Sequence, residues 1–328
     1  MKQKVALIFT GGTISMKVDN RLKAAIPSMS SQEIMSMVTN IDQIADLDIV
    51  EFGTYPSPHV TPTVMMALKQ VIEEKLNDPL ICGVVVTHGT DSLEETAYLL
   101  DLCLAPKKPV VVVGSMRNGS ELGYDGPSNL AAAITTATHP RSKGMGVLVV
   151  LNNEVNAAKE VTKTNTLSLD TFKSLEFGPL GIVDQDDVIY YRHPTESSRT
   201  IRTDKIEEDV HLIKTATGMD SRLLNFLVDQ QVKGIVLEGM GRGNVPPLMM
   251  DGIRRALNHN IPIVLVSRCP KGRVLGSYGY EGGGQQLKEL GVIFADNING
   301  QKARIQLMLA LTVSNSKSDL EYFISSSH

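Results

Sequence analysis

The sequence predicts an α/β fold in two domains: a larger amino-terminal domain with a flavodoxin-like, mostly parallel sheet, and a smaller carboxyl-terminal α/β domain. Three observations lead to this prediction. The chain has 328 residues, more than a single hydrophobic core usually organises. Short runs rich in valine and isoleucine recur along it, as in strands buried on both faces. Helix-like segments separate most of these runs.

The predicted elements follow in chain order. The strands of the first domain are KVALIF, LDIVEF, GVVVTHG, PVVVVGS and GVLVVLN, and those of the second are GIVLEG, IPIVLVS and GVIFAD. The helices span residues 30–40, 62–77, 92–104, 127–138, 246–258 and 301–311, and Thr61 is placed to cap the second helix. The stretch YYRHPTESSRTIRTDKIEEDVH is polar and lacks an apolar period. We therefore place the domains at residues 1–190 and 210–328, joined by a linker at 191–209.

Composition and charge exclude several classes of function. Hydrophobic residues make up 42% of the chain and charged residues 21%, as in ordinary globular proteins. The formal net charge of −4 gives no reason to expect nucleic acid or an anionic membrane as a partner. No run approaches the roughly 18 apolar residues of a membrane span. A strand begins almost at the first residue, with no secretory signal before it, so we expect a cytoplasmic protein.

The cysteines and histidines lack metal-binding spacing. There is no Cys-x-x-Cys and no His-Glu-x-x-His, so we predict neither a metal nor a cofactor. Cys82, Cys103 and Cys269 are odd in number and lie in apolar surroundings, which predicts buried free thiols.

Ligands of open parallel sheets bind beyond the carboxyl ends of the strands. The loops there are TGGTIS, GTYPSPHVTP, THGTDSLEET and GSMRNGS in the first domain, and GMGRGN and SRCPKGR in the second. Thr90 and Asp91 lie at the mouth of a strand just before a helix, where Asp91 could equally be a helix cap. Thr13 could be an ordinary turn residue, and Lys163 an ordinary surface charge. Taken singly, none of these residues decides between a structural and a functional role.

Three stretches form an ordered set: TGGTI after the first strand, THGTD after the third and VTKTN beyond the fifth. On these motifs the chain resembles the bacterial-type L-asparaginase and glutaminase-asparaginase family. The resemblance covers essentially the whole chain and extends through AYLLDL, KPVVVVGSMR, DGPSNL, TFKS and NGQKARIQLMLALT. It implies hydrolysis of the side-chain amide of L-asparagine to L-aspartate and ammonia through a threonine nucleophile.

The resemblance also implies roles for individual residues. Thr13 and Thr90 match the two candidate nucleophiles. Asp91 matches the residue that binds the α-amino group of the substrate, and Lys163 matches the lysine that helps to activate Thr90. Ser57 in YPSPHVTP is offered for the α-carboxylate.

The full predicted substrate site includes two residues of the second domain, which in the family reach the active site of a neighbouring subunit. The resemblance therefore implies a homo-oligomer, either a dimer or a tetramer built as a dimer of dimers. Without it, the glutamate of SYGYEGGG would be an ordinary solvated charge, and GMGRGN does not fit the Gly-x-Gly-x-x-Gly dinucleotide pattern. The predicted substrate-binding residues are Ser57, Pro58, Gly89, Thr90, Asp91, Asn244 and Glu281.

The chemistry sets two further expectations. Threonine is a weak nucleophile, so a base must remove its proton, and a lysine is a base only when it is desolvated or held in a polar network. We expect one of these settings for Lys163. The oxyanion of the intermediate needs N–H donors, and we expect them from the Gly11-Gly12 turn and from the backbone around Gly89 and Thr90.

The chain departs from the family pattern at two places. The family usually has a tyrosine in a flexible loop after the first motif, hydrogen-bonded to the first threonine, but residues 15–54 contain none. This favours a mechanism led by Thr90 and Lys163, or a weaker enzyme. Tyr55 could fill the gap, although nothing in the sequence places its hydroxyl near Thr13.

Pro58 stands where glutaminase-active members have glutamine, which argues against strong glutaminase activity. The alternatives are a glutaminase-asparaginase of broader range and a weakly active or non-catalytic aspartate-binding relative.

Overall fold

The computed structural model describes residues 2–39, 41–194, 199–295 and 297–325. Asn40 at the end of the first predicted helix, Asp296 at the end of GVIFAD and residues 195–198 of the predicted linker lie outside the described part. Contacts between Cα atoms divide the chain into two compact units, Met1–Thr200 and Ile201–His328.

The first unit is built from twelve described strands and five described helices. The strands are β1 (Lys4–Gly11), β2 (Met16–Asp19), β3 (Ala24–Pro27), β4 (Asp46–Tyr55), β5 (Ile81–Thr87), β6 (Val110–Val113), β7 (Val147–Leu151), β8 (Glu154–Ala157), β9 (Val161–Lys163), β10 (Phe172–Ser174), β11 (Gly181–Asp184) and β12 (Asp187–Tyr190). The helices are α1 (Ser31–Ser36), α2 (Ile41–Ile44), α3 (Pro62–Asn77), α4 (Leu93–Leu104) and α5 (Gly126–Thr138).

The main sheet has the strand order β12-β11-β8-β7-β6-β5-β1-β4. Strands β7, β6, β5, β1 and β4 are parallel, whereas β8, β11 and β12 add an antiparallel edge. In chain order the five parallel strands read 2-1-3-4-5 across the sheet, which is the flavodoxin-like order and confirms the prediction. The valines of β5 and β6 are fully buried because helices cover both faces of the sheet. The order reverses between β1 and β5, so the loops that follow these strands flank the switch point.

The long helices follow the sequence prediction closely. Helix α3 has the predicted bounds, and the Thr61 hydroxyl oxygen accepts a hydrogen bond from Val64 N–H at 3.3 Å as its cap. Helices α4 and α5 each differ from the prediction by one residue at the start. The first predicted helix is shorter than expected and ends at Ser36.

The antiparallel elements of the first unit were not predicted. They are the hairpin β2–β3 and the strands β8 to β12. These strands have three or four residues each, too few to show a period of two along the sequence.

The second unit has a parallel sheet in the order β13-β14-β15-β16. Its strands are β13 (Val210–Lys214), β14 (Gly234–Gly239), β15 (Ile263–Ser267) and β16 (Ile293–Phe294). Its helices are α6 (Arg222–Asp229), α7 (Met250–Asn258), α8 (Gly284–Leu290), α9 (Gly300–Ala310) and α10 (Lys317–Ile324). The predicted helix at 246–258 begins later, at Met250, because residues 247–249 form a 3₁₀ turn. Strand β13 and helices α6, α8 and α10 were not predicted.

Two further findings concern the whole described chain. No helix within residues 2–39, 41–194, 199–295 and 297–325 is long and apolar enough to cross a membrane. The prediction of buried thiols holds for Cys103, whereas Cys82 is half-buried and Cys269 is exposed. The prediction is wrong for Cys269 because this residue follows β15 in a surface turn.

Candidate active site

Three loops of the first unit come into contact at the carboxyl end of the sheet. A Cβ atom added to Gly12 would lie 2.3 Å from the backbone nitrogen of Gly89. One added to Gly89 would lie 2.7 Å from Cβ of Ser57. The backbones of the loops that follow β1 and β5 are therefore in direct contact, and the Ser57 side chain of the loop after β4 packs against Gly89, so that only glycine fits at positions 12 and 89.

The glycines of the TGG turn, Gly11 and Gly12, allow this close packing. Gly11 and Gly12 have φ values of +104° and +83°, a region that side chains other than glycine rarely adopt. The N–H of Gly12 donates to the carbonyl oxygen of Tyr55 at 2.9 Å. This N–H is therefore engaged within the fold, and the expectation of oxyanion donors from the glycine turn and from the backbone around Gly89 and Thr90 stays a prediction.

Thr90, Asp91 and Lys163 form a hydrogen-bonded cluster. The Nζ atom of Lys163 donates to Oγ1 of Thr90 at 2.8 Å and to Oδ1 of Asp91 at 2.7 Å. Thr90 is buried, and the Lys163 side chain is 18% exposed. Lys163 thus lies in the polar network expected of it.

Asp91 does not cap the helix that follows it. The N-cap residue of α4 is Ser92, whose side chain makes no capping hydrogen bond. Asp91 directs its carboxylate to Lys163 instead. The Asp91 side chain is 65% exposed, so the loop holds Asp91 at the open edge of the sheet.

Glu94 holds Lys163 in place, and sequence reasoning missed it. Its Oε2 atom accepts a hydrogen bond from the backbone N–H of Lys163 at 2.9 Å. Glu94 lies in the first turn of α4 and is buried. The strand that carries the lysine is therefore tied to the helix that follows Thr90. The available signal was an acidic residue on a helix that is otherwise largely apolar.

Ser57 lies beside Asp91, as its expected role requires. Its Oγ atom accepts a hydrogen bond from Asp91 N–H at 3.3 Å, and its carbonyl oxygen accepts one from the Ser92 hydroxyl at 2.7 Å. Ser57 is buried, whereas Pro58, the next residue of the same 3₁₀ turn, is exposed.

Thr13 begins a 3₁₀ turn, Thr13–Ser15, and is half-buried. Among the described residues its hydroxyl has no hydrogen-bond partner. The ring of Tyr55 packs against Gly53 and Phe52 of its own strand.

A histidine behind the threonine loop is fully buried and was also missed. One ring nitrogen of His88, Nδ1, lies 2.9 Å from the carbonyl oxygen of Gly89, and Nε2 lies 2.9 Å from Oγ1 of Thr96. Burial lowers the pKa of His88 to about 4. The neutral ring therefore donates from Nδ1 and accepts from the Thr96 hydroxyl, and it links the loop to α4.

Asn244 and Glu281 lie in neighbouring loops of the second unit. The chain after β14 makes a tight turn in which the N–H of Met240 donates to the Asn244 carbonyl at 2.7 Å. The Oδ1 atom of Asn244 accepts from Gly284 N–H at 3.2 Å, which ties this turn to the loop of Glu281. Glu281 is exposed, with Arg254 3.9 Å away. No helix starts directly after β14 in the described chain: the next helix, α7, begins at Met250.

In an α/β protein, a hydroxyl that a lysine contacts beside the switch point of a parallel sheet is a setting in which a hydroxyl can be activated for attack on a substrate. Residues 4–196 match the family model described as "Asparaginase, N-terminal", and residues 209–323 match "Glutaminase/Asparaginase C-terminal domain". The chain belongs to the asparaginase family.

Known relatives align over nearly the whole chain. The L-asparaginase of Bacillus licheniformis is 37% identical over 95% of this chain and 96% of its own length. A probable periplasmic L-asparaginase of Haemophilus influenzae is 36% identical over 94% of this chain and 88% of its own length. The crystal structure of a probable cytoplasmic L-asparaginase from Campylobacter jejuni matches with a TM-score of 0.88 and 29% identity, over 98% of this chain and 99% of that one.

Proposed function

We propose that this protein is an L-asparaginase, which hydrolyses the side-chain amide of L-asparagine to L-aspartate and ammonia. One observation carries the proposal: in a chain of the asparaginase family, Lys163 Nζ lies 2.8 Å from the hydroxyl oxygen of Thr90. The relatives named L-asparaginase support the same reaction.

In the first half of the proposed reaction, Thr90 attacks the amide. Lys163 in its neutral state accepts the hydroxyl proton, and Oγ1 of Thr90 forms a bond to the amide carbon. The proton then passes to the amide nitrogen, the C–N bond breaks and ammonia leaves. Thr90 is chosen over Thr13 because only Thr90 has a base within hydrogen-bonding distance among the described residues.

In the second half, water attacks the ester formed on Thr90. The bond between the carbonyl carbon and Oγ1 breaks, and the proton lost from water returns through Lys163 to the threonine. L-aspartate leaves and the site is restored. Thr13, at the contact between the loops, is proposed to face the substrate as the second hydroxyl.

Asp91 and Ser57 are proposed to recognise the amino-acid part of the substrate. Lys163 occupies Oδ1 of Asp91, and the open position of the carboxylate leaves room for an α-ammonium group. The buried Ser57 would bind the α-carboxylate, with Pro58 and Gly89 lining the same site. The pairing of ammonium with carboxylate would neutralise both charges when the site closes over them.

Asn244 and Glu281 are proposed to complete the active site of a neighbouring subunit. The proposal includes a homo-oligomer, either a dimer or a tetramer with two-fold symmetry, and a cytoplasmic location. Sedimentation of the active protein tests the first part, because a fully active monomer would contradict it. Cell fractionation tests the second, and relatives named cytoplasmic and periplasmic both occur.

The decisive test is release of ammonia and L-aspartate from L-asparagine, in equal amounts. L-Glutamine, D-asparagine and succinamate, which is asparagine without its amine, are compared in parallel. Thr90→Val should abolish the reaction. Thr138→Val is the matched control, since among the described residues its hydroxyl bonds only within its own helix, at the far end of α5. Absence of ammonia release by the unmodified protein would overturn the proposed function.

A further inference from the structure

The loop between β6 and α5, residues 114–125, is rigidly built. Both carboxylate oxygens of Asp125 accept backbone hydrogen bonds, from Met116 N–H at 3.1 Å and from Arg117 N–H at 2.9 Å. The guanidinium of Arg117 donates to the carbonyl of Leu122 at 3.0 Å. Hydrogen bonds therefore join the start of the loop to its end, and the loop can hold neighbouring segments in a fixed position.

This loop supports the hairpin β2–β3, which follows Thr13. The N–H of Gly119 donates to the carbonyl of Met16 at 2.9 Å, and the hydroxyl oxygen of Ser120 accepts from Val18 N–H at 3.0 Å. The first strand of the hairpin is thus fastened to the 114–125 loop through its backbone.

Tyr124 adds a third attachment, next to Thr13 itself. Its hydroxyl donates to the carbonyl oxygen of Ile14 at 2.5 Å, across 110 positions in the chain. Ile14 is 0% exposed, so water cannot replace this donor. The ring needs the glycine at position 126, because a Cβ atom there would lie 2.3 Å from the Tyr124 hydroxyl.

The hydroxyl of Tyr124 is a constant donor at neutral pH. Burial, with a smaller effect from the adjacent Asp125 carboxylate, raises the pKa of Tyr124 well above its ordinary value. The phenol therefore keeps its proton and its bond to Ile14 wherever the enzyme would work.

We propose that Tyr124 is a positioning residue for Thr13: its bond to the Ile14 carbonyl fixes the turn that aims the Thr13 hydroxyl at the substrate. This inference rests on the proposed function. Residues 15–54, which include the hairpin, contain no tyrosine. Tyr124, which lies much later in the chain, contacts the turn Thr13–Ser15 instead. Since the Thr13 hydroxyl has no partner among the described residues, its direction depends on the backbone of residues 13–15. A displacement of about 1 Å in a group that positions the substrate can lower a rate by about 10²-fold.

The variant Tyr124→Phe removes only the hydroxyl. We expect kcat for L-asparagine to fall about 10-fold or more, with KM changed less than about threefold, because the turn is displaced but the recognition residues are not. Tyr190→Phe is the matched control. It removes a buried hydroxyl bond, to Ser142 Oγ at 2.6 Å, at the antiparallel edge of the sheet, and it should leave kcat unchanged.

A double-mutant cycle with Thr13→Val locates the effect. If Tyr124 acts through Thr13, Tyr124→Phe should lower kcat little further in the Thr13→Val background. Unchanged kcat in Tyr124→Phe, an equal loss in Tyr190→Phe, or full additivity with Thr13→Val would each overturn the inference. Because every comparison is made against the activity of the unmodified protein, these outcomes are distinct from a failure of the proposed function, in which that protein releases no ammonia at all.

Discussion

Lys163 Nζ and Thr90 Oγ1 lie 2.8 Å apart, although the residues are 73 positions apart in the chain. The contact exists because β9 and its partner β10 form a hairpin whose backbone is held to α4 by the Glu94 carboxylate. At this distance a proton can pass directly between hydroxyl and amine. The pair is therefore the part of the candidate site whose chemistry is most directly testable.

Removal of the lysine amine should stop the reaction. We expect Lys163→Met to lower kcat by about 10² or more, since Thr90 would lose its base. Combined with Thr90→Val it should add little, because the two groups act in one proton transfer. Lys173→Met, on the paired strand of the same hairpin, removes a lysine bound to Glu154 and Asp170 and should retain most of the activity. Near-normal turnover in Lys163→Met would remove this residue from the mechanism.

Glu94 should act on the rate through Lys163. In Glu94→Ala the backbone N–H of Lys163 loses its acceptor, and we expect kcat to fall about 10-fold as the amine moves from Thr90. Glu94→Gln keeps an acceptor oxygen and should recover part of that loss. The control is Glu95→Ala in the same helical turn. Equal kcat values in Glu94→Ala and Glu95→Ala, measured at saturating L-asparagine, would contradict the role.

Gly12 should be required for the contact between loops and not only for its backbone angle. Gly12→Ala would place a methyl group 2.3 Å from the Gly89 nitrogen, so we expect it to separate the loops and abolish activity. Gly144→Ala isolates the effect of the angle. Its φ is +72°, yet a Cβ atom there would have nothing within 4 Å, so the variant should lose only about 1–2 kcal/mol of stability and remain active. Melting and activity of both variants distinguish clash from strain.

His88 should make folding stability fall on acidification. Its pKa in the folded protein is about 4, below the ordinary 6.5, so between these values the unfolded chain binds a proton that the folded chain does not. The contribution of His88 to the free energy of unfolding is fully present above pH 6.5, falls as the pH drops towards about 4 and does not change further below that pH. The interval corresponds to about 3 kcal/mol at about 1.4 kcal/mol per pH unit.

The measurement is the melting temperature between pH 7.5 and 4, compared among variants. His88→Gln should be less stable at pH 7 but should show a flatter pH dependence. His259→Gln, at the exposed end of α7, should follow the unmodified protein. Parallel curves for the unmodified protein and His88→Gln would show that His88 does not cause the acid sensitivity.

The parallel core could be predicted because its signals are local, whereas the central residues of the candidate site were predicted from motifs that resemble those of the asparaginase family. Each buried strand is a continuous apolar run, and parallel strands place the loops of Thr13, Ser57 and Thr90 at one edge. Glu94 and Tyr124 could not be predicted, because their hydrogen bonds join residues 69 and 110 positions apart and have no local pattern.

The antiparallel edge was missed for a related physical reason. Strands β8, β11 and β12 are short, and they are held by pairing with one another and with β7 more than by their own hydrophobic pattern. The hydrogen bond of the Gly12 N–H could not be predicted for a different reason. The sequence shows that a glycine follows β1, but the bond from its N–H to the Tyr55 carbonyl depends on the register between β1 and β4.

Substitutions of Asp91 distinguish a role in recognising an amino acid from a role in capping α4. The carboxylate of Asp91 binds Lys163, and Ser92 is the N-cap residue of α4, so Asp91→Asn and Asp91→Ala should have the same melting temperature. A capping role predicts a clear loss of stability in Asp91→Ala, because loss of a cap costs about 1 kcal/mol. Asp170→Asn, another exposed aspartate paired with a lysine, is the control for the change of charge.

The activity of these variants completes the test. If Asp91 binds the α-ammonium group, Asp91→Asn should lower kcat/KM for L-asparagine by about 10² or more, because an amide cannot neutralise the bound cation. The same change should affect succinamate much less, since that substrate has no ammonium group to bind. If Asp91→Asn lowers kcat/KM equally for L-asparagine and succinamate, Asp91 holds Lys163 in place and does not select an amino acid. A fully active Asp91→Asn enzyme would exclude both roles, and the discrimination between asparagine and its deaminated analogue would then have to come from another residue.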